Sequence, residues 1–394
     1  MPSPLDFDVI VAGAGPAGSR AAAILSQAGW KVLVLEKKTF PRYKPCGGCL
    51  SRRVDRLLSR SWLNEVIENE ISRVIFTYKQ RERLEITASQ PAAYVVRREI
   101  FDLRLAREAE QSGATVRFST PLSSFEALPD YVRVRTPAGT VKSRFLILAH
   151  GAYPGPRPRP PLRRRSLTYA ALEGPVPASG LTDSWPPEAV GIHLGSVAFG
   201  YGWTFPCGDR FSVGISFWPE KEGRTRRSRD RLLQGLSPLN ARPRLQGHRI
   251  PCYDGQPVAY AAGRVLRVGD AARLVDPFLG EGIYYALWSG QQGAEVLSAA
   301  LAGGDPDLSA YPRAVARHLL PEFARALRLA RWVYAWPGLF WWLLKNHHSI
   351  MTIYFNILQG QESYDRFFWE FKKKVWHHTG LRRVLGEPRR RARP

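Results

Sequence analysis

The chain has 394 residues, of which 44% are hydrophobic and 23% are charged. This composition is typical of globular proteins and excludes a disordered, collagen-like or low-complexity chain. Lys and Arg number 57 against 34 Asp and Glu, so the net charge of +23 predicts attraction to an anionic surface or ligand.

Three features bear on location. Four cysteines are too few for a secreted disulfide framework. The chain enters a strand-like segment at Phe7 without a signal peptide, and no apolar run reaches the roughly 20 residues that a membrane-spanning helix needs. The sequence therefore predicts a reducing, cytoplasmic location.

The first 36 residues have the pattern of a strand, a glycine-rich turn, a helix and a second strand, which predicts a βαβ unit. In the turn, Gly13 permits the bend, Gly15 lets the backbone approach a pyrophosphate, and Gly18 lets the helix pack on the strand. Glu36 follows the second strand, where its carboxylate can accept hydrogen bonds from ribose hydroxyls and would repel a 2′-phosphate. The turn therefore predicts FAD or NAD rather than NADP.

The middle of the chain alternates in type. Residues 72–96 predict short strands, and residues 100–111 have helical periodicity. The apolar run 145–149 predicts a buried strand, and the connector 154–165, with five prolines and five arginines, predicts a crossing between domains. The strand-like pattern of 166–217 predicts a sheet that covers a ligand against the first domain.

The chain then returns to the first domain, with a buried strand at 265–269 and a long helix over 282–301. Between them, Asp270 can hold a ribityl hydroxyl. The glycine-rich helix start at 280–283 can present backbone N–H groups and a positive dipole end to the N1/O2 edge of a flavin. This order of motifs favours FAD over NAD.

After residue 307 the pattern is predominantly helical. The predicted fold is α/β, with a Rossmann-type FAD-binding domain, an inserted antiparallel-sheet substrate domain and a helical C-terminal region. The predicted division is FAD-binding domain 1–70, 98–154 and 256–305; substrate domain 71–97 and 155–255; C-terminal helical region 306–376; and basic tail 377–394.

Four motifs, in this order, resemble the geranylgeranyl reductase family of the flavoprotein monooxygenase-like superfamily. They are Gly13 to Gly18 with Glu36, Phe40-Pro-Arg-Tyr-Lys-Pro-Cys46-Gly47-Gly48, Tyr201-Gly-Trp203-Thr-Phe205-Pro206, and the segments from Gly269-Asp270 to Gly282-Ile283-Tyr284-Tyr285. The first and last are shared across the superfamily, whereas the other two are far more specific. The resemblance implies an FAD-dependent enzyme that reduces C=C bonds of a geranylgeranyl or other polyprenyl chain.

The resemblance also implies site residues. Cys46 matches the family's active-site cysteine, and Arg98 resembles an arginine near the adenosine and pyrophosphate side of FAD. A buried inert thiol and a surface arginine are the alternatives. The predicted cofactor-binding residues are Gly13, Gly15, Pro16, Ala17, Gly18, Glu36, Lys37, Cys46, Gly47, Gly48, Arg98, Gly269, Asp270, Pro277, Gly280, Glu281, Gly282 and Ile283.

Hydrogenating an unactivated alkene needs a hydride from flavin N5 and a proton from a nearby donor, in a site that excludes water. Cys46 is the predicted catalytic residue. With Cys49 it also forms a C-x-x-C pair, which elsewhere marks a redox dithiol or half of a zinc site. No second cysteine pair or convincing histidine set accompanies it, so no metal is predicted, and a redox pair with Cys49 stays an alternative.

Tyr201, Trp203 and Phe205 alternate along a predicted strand, so their side chains project from one face and can line an apolar slot for an isoprenoid. A core aromatic stripe is the alternative interpretation. Pro206 is expected to end this strand.

The C-terminal region is rich in aromatic and basic residues. Six of the twelve tryptophans fall at or after Trp332, and residues 372–394 carry nine Lys or Arg against one Glu. This pattern predicts peripheral binding to an anionic membrane surface, and helices packed over the pocket with a solvated tail are the alternative. No recognisable nucleic-acid module occurs, so nucleic acid is not a predicted partner.

Two other functions are compatible with the predicted fold: a flavin monooxygenase or halogenase acting on a lipophilic substrate, and a membrane-surface electron-transfer flavoprotein. The cysteine loop and the aromatic strand favour the reductase. Because the chain has a single nucleotide fingerprint, its electrons are expected from outside, from transiently bound NAD(P)H or from an acidic ferredoxin-like protein.

Overall fold

A computed structural model describes residues 5–79, 81–153, 168–180, 185–218 and 244–379. The connector predicted at 154–165 and the basic tail beyond residue 379 lie outside the described residues.

The strands are β1 (Phe7–Ala12), β2 (Val32–Leu35), β3 (Cys49–Ser51), β4 (Ile67–Ile71), β5 (Arg73–Tyr78), β6 (Glu82–Thr87), β7 (Ala93–Val96), β8 (Thr115–Arg117), β9 (Ser124–Ala127), β10 (Val132–Thr136), β11 (Gly139–Leu148), β12 (Tyr169–Pro177), β13 (Ala189–Leu194), β14 (Gly200–Cys207), β15 (Arg210–Phe217), β16 (Gln246–Ile250), β17 (Ala261–Ala262) and β18 (Val265–Arg267). The α helices are α1 (Pro16–Gln27), α2 (Arg60–Asn64), α3 (Arg98–Gln111), α4 (Ile283–Gly303), α5 (Ala310–His318), α6 (Leu320–Ala335), α7 (Pro337–Asn346), α8 (His348–Leu358) and α9 (Tyr364–Thr379).

The first sheet has eight strands, six of them in the order β17-β18-β11-β1-β2-β8, with β10 paired to β11 and β9 to β10. The pairs β1–β11, β1–β2, β2–β8 and β11–β18 are parallel. β2 is a continuous apolar run with all four residues buried, as expected for a strand covered on both faces. Because β1 lies between β11 and β2, the glycine turn that follows it is at the centre of the sheet's carboxyl edge.

Helices α1 and α4 pack closely against each other beside this sheet. A Cβ on Gly290 of α4 would lie 2.2 Å from the carbonyl oxygen of Ala17 in α1. Only glycine fits at such a contact, so the two helices bring the N-terminal glycine turn and the C-terminal glycine loop to the same place.

The second sheet has seven strands in the order β16-β12-β15-β14-β13-β5-β6. Its pairs are antiparallel except that β13 and β5 run parallel. The predicted antiparallel sheet thus includes a parallel pair. The chain between β5 and β13 passes back through the first sheet, so no tight hairpin forces these two strands to run in opposite directions.

Helices α6 to α9 cover one face of the second sheet. Phe76 and Leu194 of that sheet share a buried apolar cluster with Phe340 and Leu343 of α7 and with Ile353 of α8. Along the chain that the structure describes, no helix is both long and apolar enough to span a bilayer.

The predicted fold class is confirmed, with small shifts at element ends. The helix predicted over 100–111 begins at Arg98, and the one predicted over 282–301 spans Ile283–Gly303. The expectation that Pro206 ends its strand is wrong, because β14 continues to Cys207. Beyond Thr204, β14 pairs with β15 alone, so a residue without an N–H is accommodated there.

Candidate functional site

A cavity of about 710 Å³ lies between the carboxyl edge of the first sheet, the inner face of the second sheet and helices α6 to α8. Of the residues predicted for the site, Gly18, Gly269 and Pro277 do not line this cavity, whereas all the others do. Residues that lie far apart in the sequence therefore share one continuous space, which is the expected form of a cofactor and substrate site.

The three glycines of the N-terminal turn differ in what surrounds them. Gly13 has a φ of +113°, and a Cβ on Gly18 would lie 1.9 Å from the carbonyl oxygen of Gly13. These two glycines permit the turn and the close packing of helix on strand. A Cβ on Gly15 would meet no atom within 4 Å, since Gly15 opens on the cavity at the N-terminus of α1. The backbone there is free to approach a phosphate, as predicted.

Glu36 is almost completely buried beside this turn. One carboxylate oxygen accepts a hydrogen bond from the backbone N–H of Ala14, and the other accepts one from Lys38, each at 2.9 Å. A carboxylate has about four acceptor positions, so capacity for a ribose hydroxyl remains. The two backbone bonds hold the carboxylate at the cavity wall.

Arg42, Lys44 and Arg98 form a cluster of cations in the cavity wall, and sequence reasoning missed the first two. Arg98 donates two hydrogen bonds to the carboxylate of Asp102, at 2.9 and 2.8 Å, and Arg42 forms an ion pair with the same carboxylate at 2.9 Å. Burial acts to raise the pKa of Asp102, but Arg98 holds it below its usual value. Lys44 lies 3.9 Å from Asp270. Its pKa is lowered, first by burial and then by Arg98.

This cation cluster fits an anionic group. Nη1 of Arg42 is buried and has no hydrogen-bond partner among the described residues, although a buried guanidinium normally uses its donors. A signal for Arg42 and Lys44 was present, because both belong to the segment from Phe40 to Gly48 that carried the resemblance.

The loop that carries Cys46 packs against the aromatic strand β14. A Cβ on Gly47 would lie 2.8 Å from the Phe205 ring and 3.4 Å from Nε1 of Trp203. Gly48 has a φ of +69°, and its backbone N–H lies 3.4 Å from Sγ of Cys46. The glycine at position 47 lets the cysteine loop lie directly on the aromatic motif, so the two most specific motifs meet in one place.

All four cysteines are free thiols. Burial raises the pKa of Cys49 and Cys207 to about 12, and it raises that of Cys252 well above its usual value. These three thiols stay protonated at neutral pH. Within the described part of the chain, no group of three His, Cys, Asp or Glu side chains is arranged to hold a metal ion.

Three tyrosines hold the glycine loop before α4. The carbonyl oxygens of Pro277, Phe278 and Leu279 accept hydrogen bonds from Tyr169 of β12 at 2.6 Å, Tyr334 of α6 at 2.5 Å and Tyr201 of β14 at 2.9 Å. Burial raises the pKa of all three phenols, which therefore remain protonated donors. We call Tyr169, Tyr201 and Tyr334 the tyrosine clamp.

Carboxylates fix the same loop from its other side. Asp276 is fully buried and accepts hydrogen bonds from the backbone of Phe278 and Leu279 at 2.7 and 2.9 Å, and from Tyr364 of α9 at 2.7 Å. Glu281 accepts a hydrogen bond from the backbone N–H of Ser51 at 2.9 Å and forms an ion pair with Arg53. Both Glu281 oxygens are thus engaged by the protein, although Glu281 lines the cavity.

The far part of the cavity has aromatic and aliphatic walls. Tyr201 stacks on Tyr334 with ring centroids 6.1 Å apart, and Phe76 meets Tyr354 edge to face at 5.6 Å. The strands add apolar side chains: Ile71, Val74, Val190, Ile192 and Leu194. Tyr201, Trp203 and Phe205 all line the cavity, so the aromatic stripe faces a space rather than a filled core.

The C-terminal aromatic residues divide into two groups. One group is buried: Tyr334, Phe340, Phe355 and Phe367. The first three of these line the cavity, as expected if the C-terminal helices pack over the pocket. Trp336, Trp342 and Trp369 are exposed to 64%, 37% and 48%.

Sequence reasoning missed two further residues beside Cys46. The Tyr43 hydroxyl donates a hydrogen bond to the carboxylate of Glu173, and both side chains line the cavity. Tyr43 lies inside a recognised motif, but no local pattern marks Glu173. Its place beside Cys46 depends on the pairing of β12 with β15.

These observations fit FAD. The cavity wall holds four suitable features. They are a glycine turn open to the cavity, a buried glutamate with free acceptor capacity, an unsatisfied arginine nitrogen, and a clamped glycine loop at a helix N-terminus. They match the needs of a pyrophosphate, a ribose and a flavin edge.

Comparison with known proteins supports this assignment. Residues 6–313 match the FAD binding domain family. The chain is 33% identical to the menaquinone reductase of Mycobacterium tuberculosis over 321 residues, which covers 74% of this chain and 76% of that one. It is 30% identical to digeranylgeranylglycerophospholipid reductase 1 of Methanopyrus kandleri over 334 residues, 78% of this chain and 85% of that one.

A solved structure shares the fold. It is a geranylgeranyl bacteriochlorophyll reductase-like protein from Thermoplasma acidophilum, with a TM-score of 0.69 and 23% identity over 83% of this chain and 87% of that one. The chain therefore belongs to the FAD binding domain family and, within it, to the geranylgeranyl reductase family that its cysteine and aromatic motifs resemble.

Proposed function

We propose that the protein is an FAD-dependent reductase that hydrogenates C=C bonds of a polyprenyl chain. The observation that carries this proposal is the large cavity, in which the glycine turn, the Cys46 loop and the aromatic wall share one space. Polyprenyl chains consist of repeating apolar units, and an aromatic and aliphatic wall is their natural environment.

The relatives support the substrate class. One is named menaquinone reductase and another digeranylgeranylglycerophospholipid reductase. The head groups in these two names differ, whereas both molecules carry a polyprenyl chain. A cavity that recognises the chain rather than the head group is consistent with both.

Residues from different walls of the cavity would have different roles. Gly15, Glu36 and Arg42 would hold the nucleotide part of FAD, and the clamped glycine loop would face the flavin. Reduced FAD, when bound, supplies a hydride at N5. Cys46 would hold a proton at Sγ for the other alkene carbon, and the apolar wall would exclude water from the reacting carbons.

The proposed function also includes an external electron donor and a contact with a membrane. NAD(P)H or an acidic ferredoxin-like protein would supply the electrons, and the net charge of +23 suits an acidic partner. The exposed Trp336, Trp342 and Trp369 would lie at the surface of an anionic membrane, since tryptophan favours the interface between lipid and water.

Anaerobic turnover tests the function. We expect FAD-loaded protein, reduced with dithionite, to raise the mass of geranylgeranyl diphosphate or of a menaquinone in steps of two hydrogens. A product that contains oxygen or halogen and forms only with O₂ would instead identify a monooxygenase or halogenase.

Two variants, each with one cysteine replaced, distinguish alkene reduction from simple electron transfer to a partner. We expect Cys46→Ala to slow prenyl reduction by about 100-fold or more while its FAD absorbance persists. The matched variant Cys252→Ala, at a buried cysteine that does not line the large cavity, is expected to turn over like the wild type. Equal activity of Cys46→Ala and wild type would contradict the assigned role.

A further inference from the structure

Behind the Cys46 loop lies a second, small cavity of about 20 Å³. A site needs roughly 10–15 Å³ and two to four polar partners to hold one water molecule. Here the wall includes Tyr43, Glu173, Ser212 and Arg210. Tyr43, Cys46 and Glu173 line this cavity and the large one as well, so they separate the proposed reaction site from the small cavity.

The outer side of the small cavity reaches solvent. Arg210 and Glu99 line it and form an ion pair at 3.0 Å, and their side chains are 29% and 23% exposed. Glu173 on the inner side is only 3% exposed. A buried carboxyl group thus lies between a partly hydrated ion pair and the cysteine loop.

The hydrogen bonds around Glu173 allow it to exist in two protonation states. Ser212 Oγ accepts from Nε1 of Trp203 at 3.2 Å, and it lies 3.0 Å from a Glu173 oxygen and 3.4 Å from the carbonyl oxygen of Cys46. A serine hydroxyl has one hydrogen to donate. When Glu173 is ionised, Ser212 donates to it. When Glu173 is protonated, it can donate to Ser212, which then donates to the backbone carbonyl oxygen of Cys46.

The charges that face Glu173 do not force it to ionise. Burial raises the pKa of Glu173, an effect opposed by the hydrogen bonds from Tyr43 and Ser212 and by the backbone of Cys46 and reinforced by the charge of Glu99. Four cations line the small cavity, and each lies beside a carboxylate other than Glu173: Arg210 beside Glu99, Arg97 beside Glu68, Arg98 beside Asp102 and Lys44 beside Asp270. The pKa of Tyr43 is raised by burial and by Glu173, so its phenol stays protonated.

Each double bond that is reduced removes one proton from a site that excludes water, and that proton must be replaced. Resting on the proposed function, we propose that Glu173, held by Tyr43 and Ser212, transfers protons from solvent through the small cavity to Sγ of Cys46. The S–H bond of Cys46 breaks as a C–H bond forms. A proton from Glu173 then restores the S–H bond across the small cavity that Glu173 and Cys46 both line, and solvent reprotonates Glu173. The proposed reduced cofactor supplies both electrons.

Glu173 is a positioning and proton-supplying residue in this scheme, so the test needs a readout that packing alone does not move. Glu173→Gln keeps the shape and cannot ionise, and Tyr43→Phe removes one partner. Glu126→Gln, at an exposed glutamate of β9, is the matched control. Each is loaded with FAD, and its retained absorbance shows that the site is folded.

The first measurement is anaerobic turnover of the dithionite-reduced protein against pH. We expect Glu173→Gln to turn over on the order of tenfold to 100-fold more slowly and to lose a pH inflection that wild type and Glu126→Gln retain. Tyr43→Phe is expected to shift that inflection. A rate and a pH profile of Glu173→Gln equal to those of the wild type would overturn the proposal.

The second measurement does not depend on turnover. The rate of Cys46 alkylation by iodoacetamide, followed by mass, should show an inflection from Glu173 in the wild type and lose it in Glu173→Gln. Identical alkylation profiles would overturn the proposal. If the wild type reduces no prenyl substrate, the proposed function fails, and the alkylation profile still decides whether Glu173 is coupled to Cys46.

Discussion

The nucleotide half, made of the first sheet with α1, α3 and α4, and the substrate half, made of the second sheet with α6 to α9, are built by different rules. In the nucleotide half, backbone geometry makes the site: Gly13, Gly15 and Gly18 lie within six residues. In the substrate half, side chains from distant segments make it, as when Tyr201 stacks on Tyr334. A local motif can therefore specify a phosphate cradle, whereas a lipid cavity needs the assembled fold.

The largest expected effect concerns the nucleotide half, where backbone geometry makes the site. Gly15→Val places a side chain where the backbone opens on the cavity, so we expect the purified protein to lose FAD and its yellow colour while its circular dichroism stays that of the wild type. Gly303→Val is the matched control, since a Cβ there also meets nothing within 4 Å but lies at the exposed end of α4. Equal FAD content in the two variants would contradict the assigned cradle.

The next effect concerns the substrate half alone. His193 is buried on the face of β13 away from the cavity, between Thr77 and Thr204, each at 2.9 Å. Burial lowers the pKa of His193 from 6.5 to about 4. Because the folded pKa lies below the unfolded one, the stabilisation is complete above pH 6.5 and is lost as pH falls towards 4. The loss is about 3 kcal/mol.

Urea unfolding at pH 7 and pH 4 measures this effect. We expect His193→Gln to reduce the difference in unfolding free energy between the two pH values by about 3 kcal/mol. His318→Gln, at an exposed histidine of α5, should leave that difference as it is in the wild type. If the unfolding free energy of His193→Gln depended on pH as that of the wild type does, His193 would not be the source of this pH dependence.

A smaller effect tests the tyrosine clamp, which joins the two halves. Tyr334→Phe leaves the Phe278 carbonyl without its donor, and we expect a loss of about 1–2 kcal/mol in unfolding free energy together with weaker FAD retention. Tyr131→Phe, at a partly exposed tyrosine whose hydroxyl accepts from Arg133 at 2.9 Å, is the control. Weaker FAD retention without any loss of stability would mean that the clamp only orients the loop.

The smallest effect distinguishes the surfaces of the two halves. Trp369 is exposed on α9, with Lys373 over its ring at 4.9 Å. We expect Lys373→Gln to weaken binding to phosphatidylserine vesicles by about 1 kcal/mol and Trp369→Ala to weaken it further. Ile100→Ala, at an exposed apolar residue of the nucleotide half, should bind as the wild type does in the same sedimentation assay.

Sequence reasoning found residues of the cavity wall where the pattern is local. The glycine turn, Glu36 and the start of α4 follow from strand, turn and helix patterns within short windows, and the Cys46 and Tyr201 motifs were found by resemblance. It failed for Glu173, whose bond to Tyr43 joins residues 130 positions apart. No periodicity reports such a pairing, because it depends on which strands become neighbours. Tyr201 was expected to line a pocket, but the bond from its hydroxyl to Leu279 depends on a loop 78 residues away.

The hydrogen bond from Tyr364 to Asp276 can form only late in the synthesis of the protein. It joins residues 88 positions apart, and Tyr364 lies near the end of the described chain. During translation the nucleotide half can therefore emerge and pair its strands well before this last contact to the glycine loop exists. A nascent chain halted before Tyr364 leaves the ribosome would lack the hydrogen bond from Tyr364 to Asp276, so the glycine loop gains this support only after the last helix has docked.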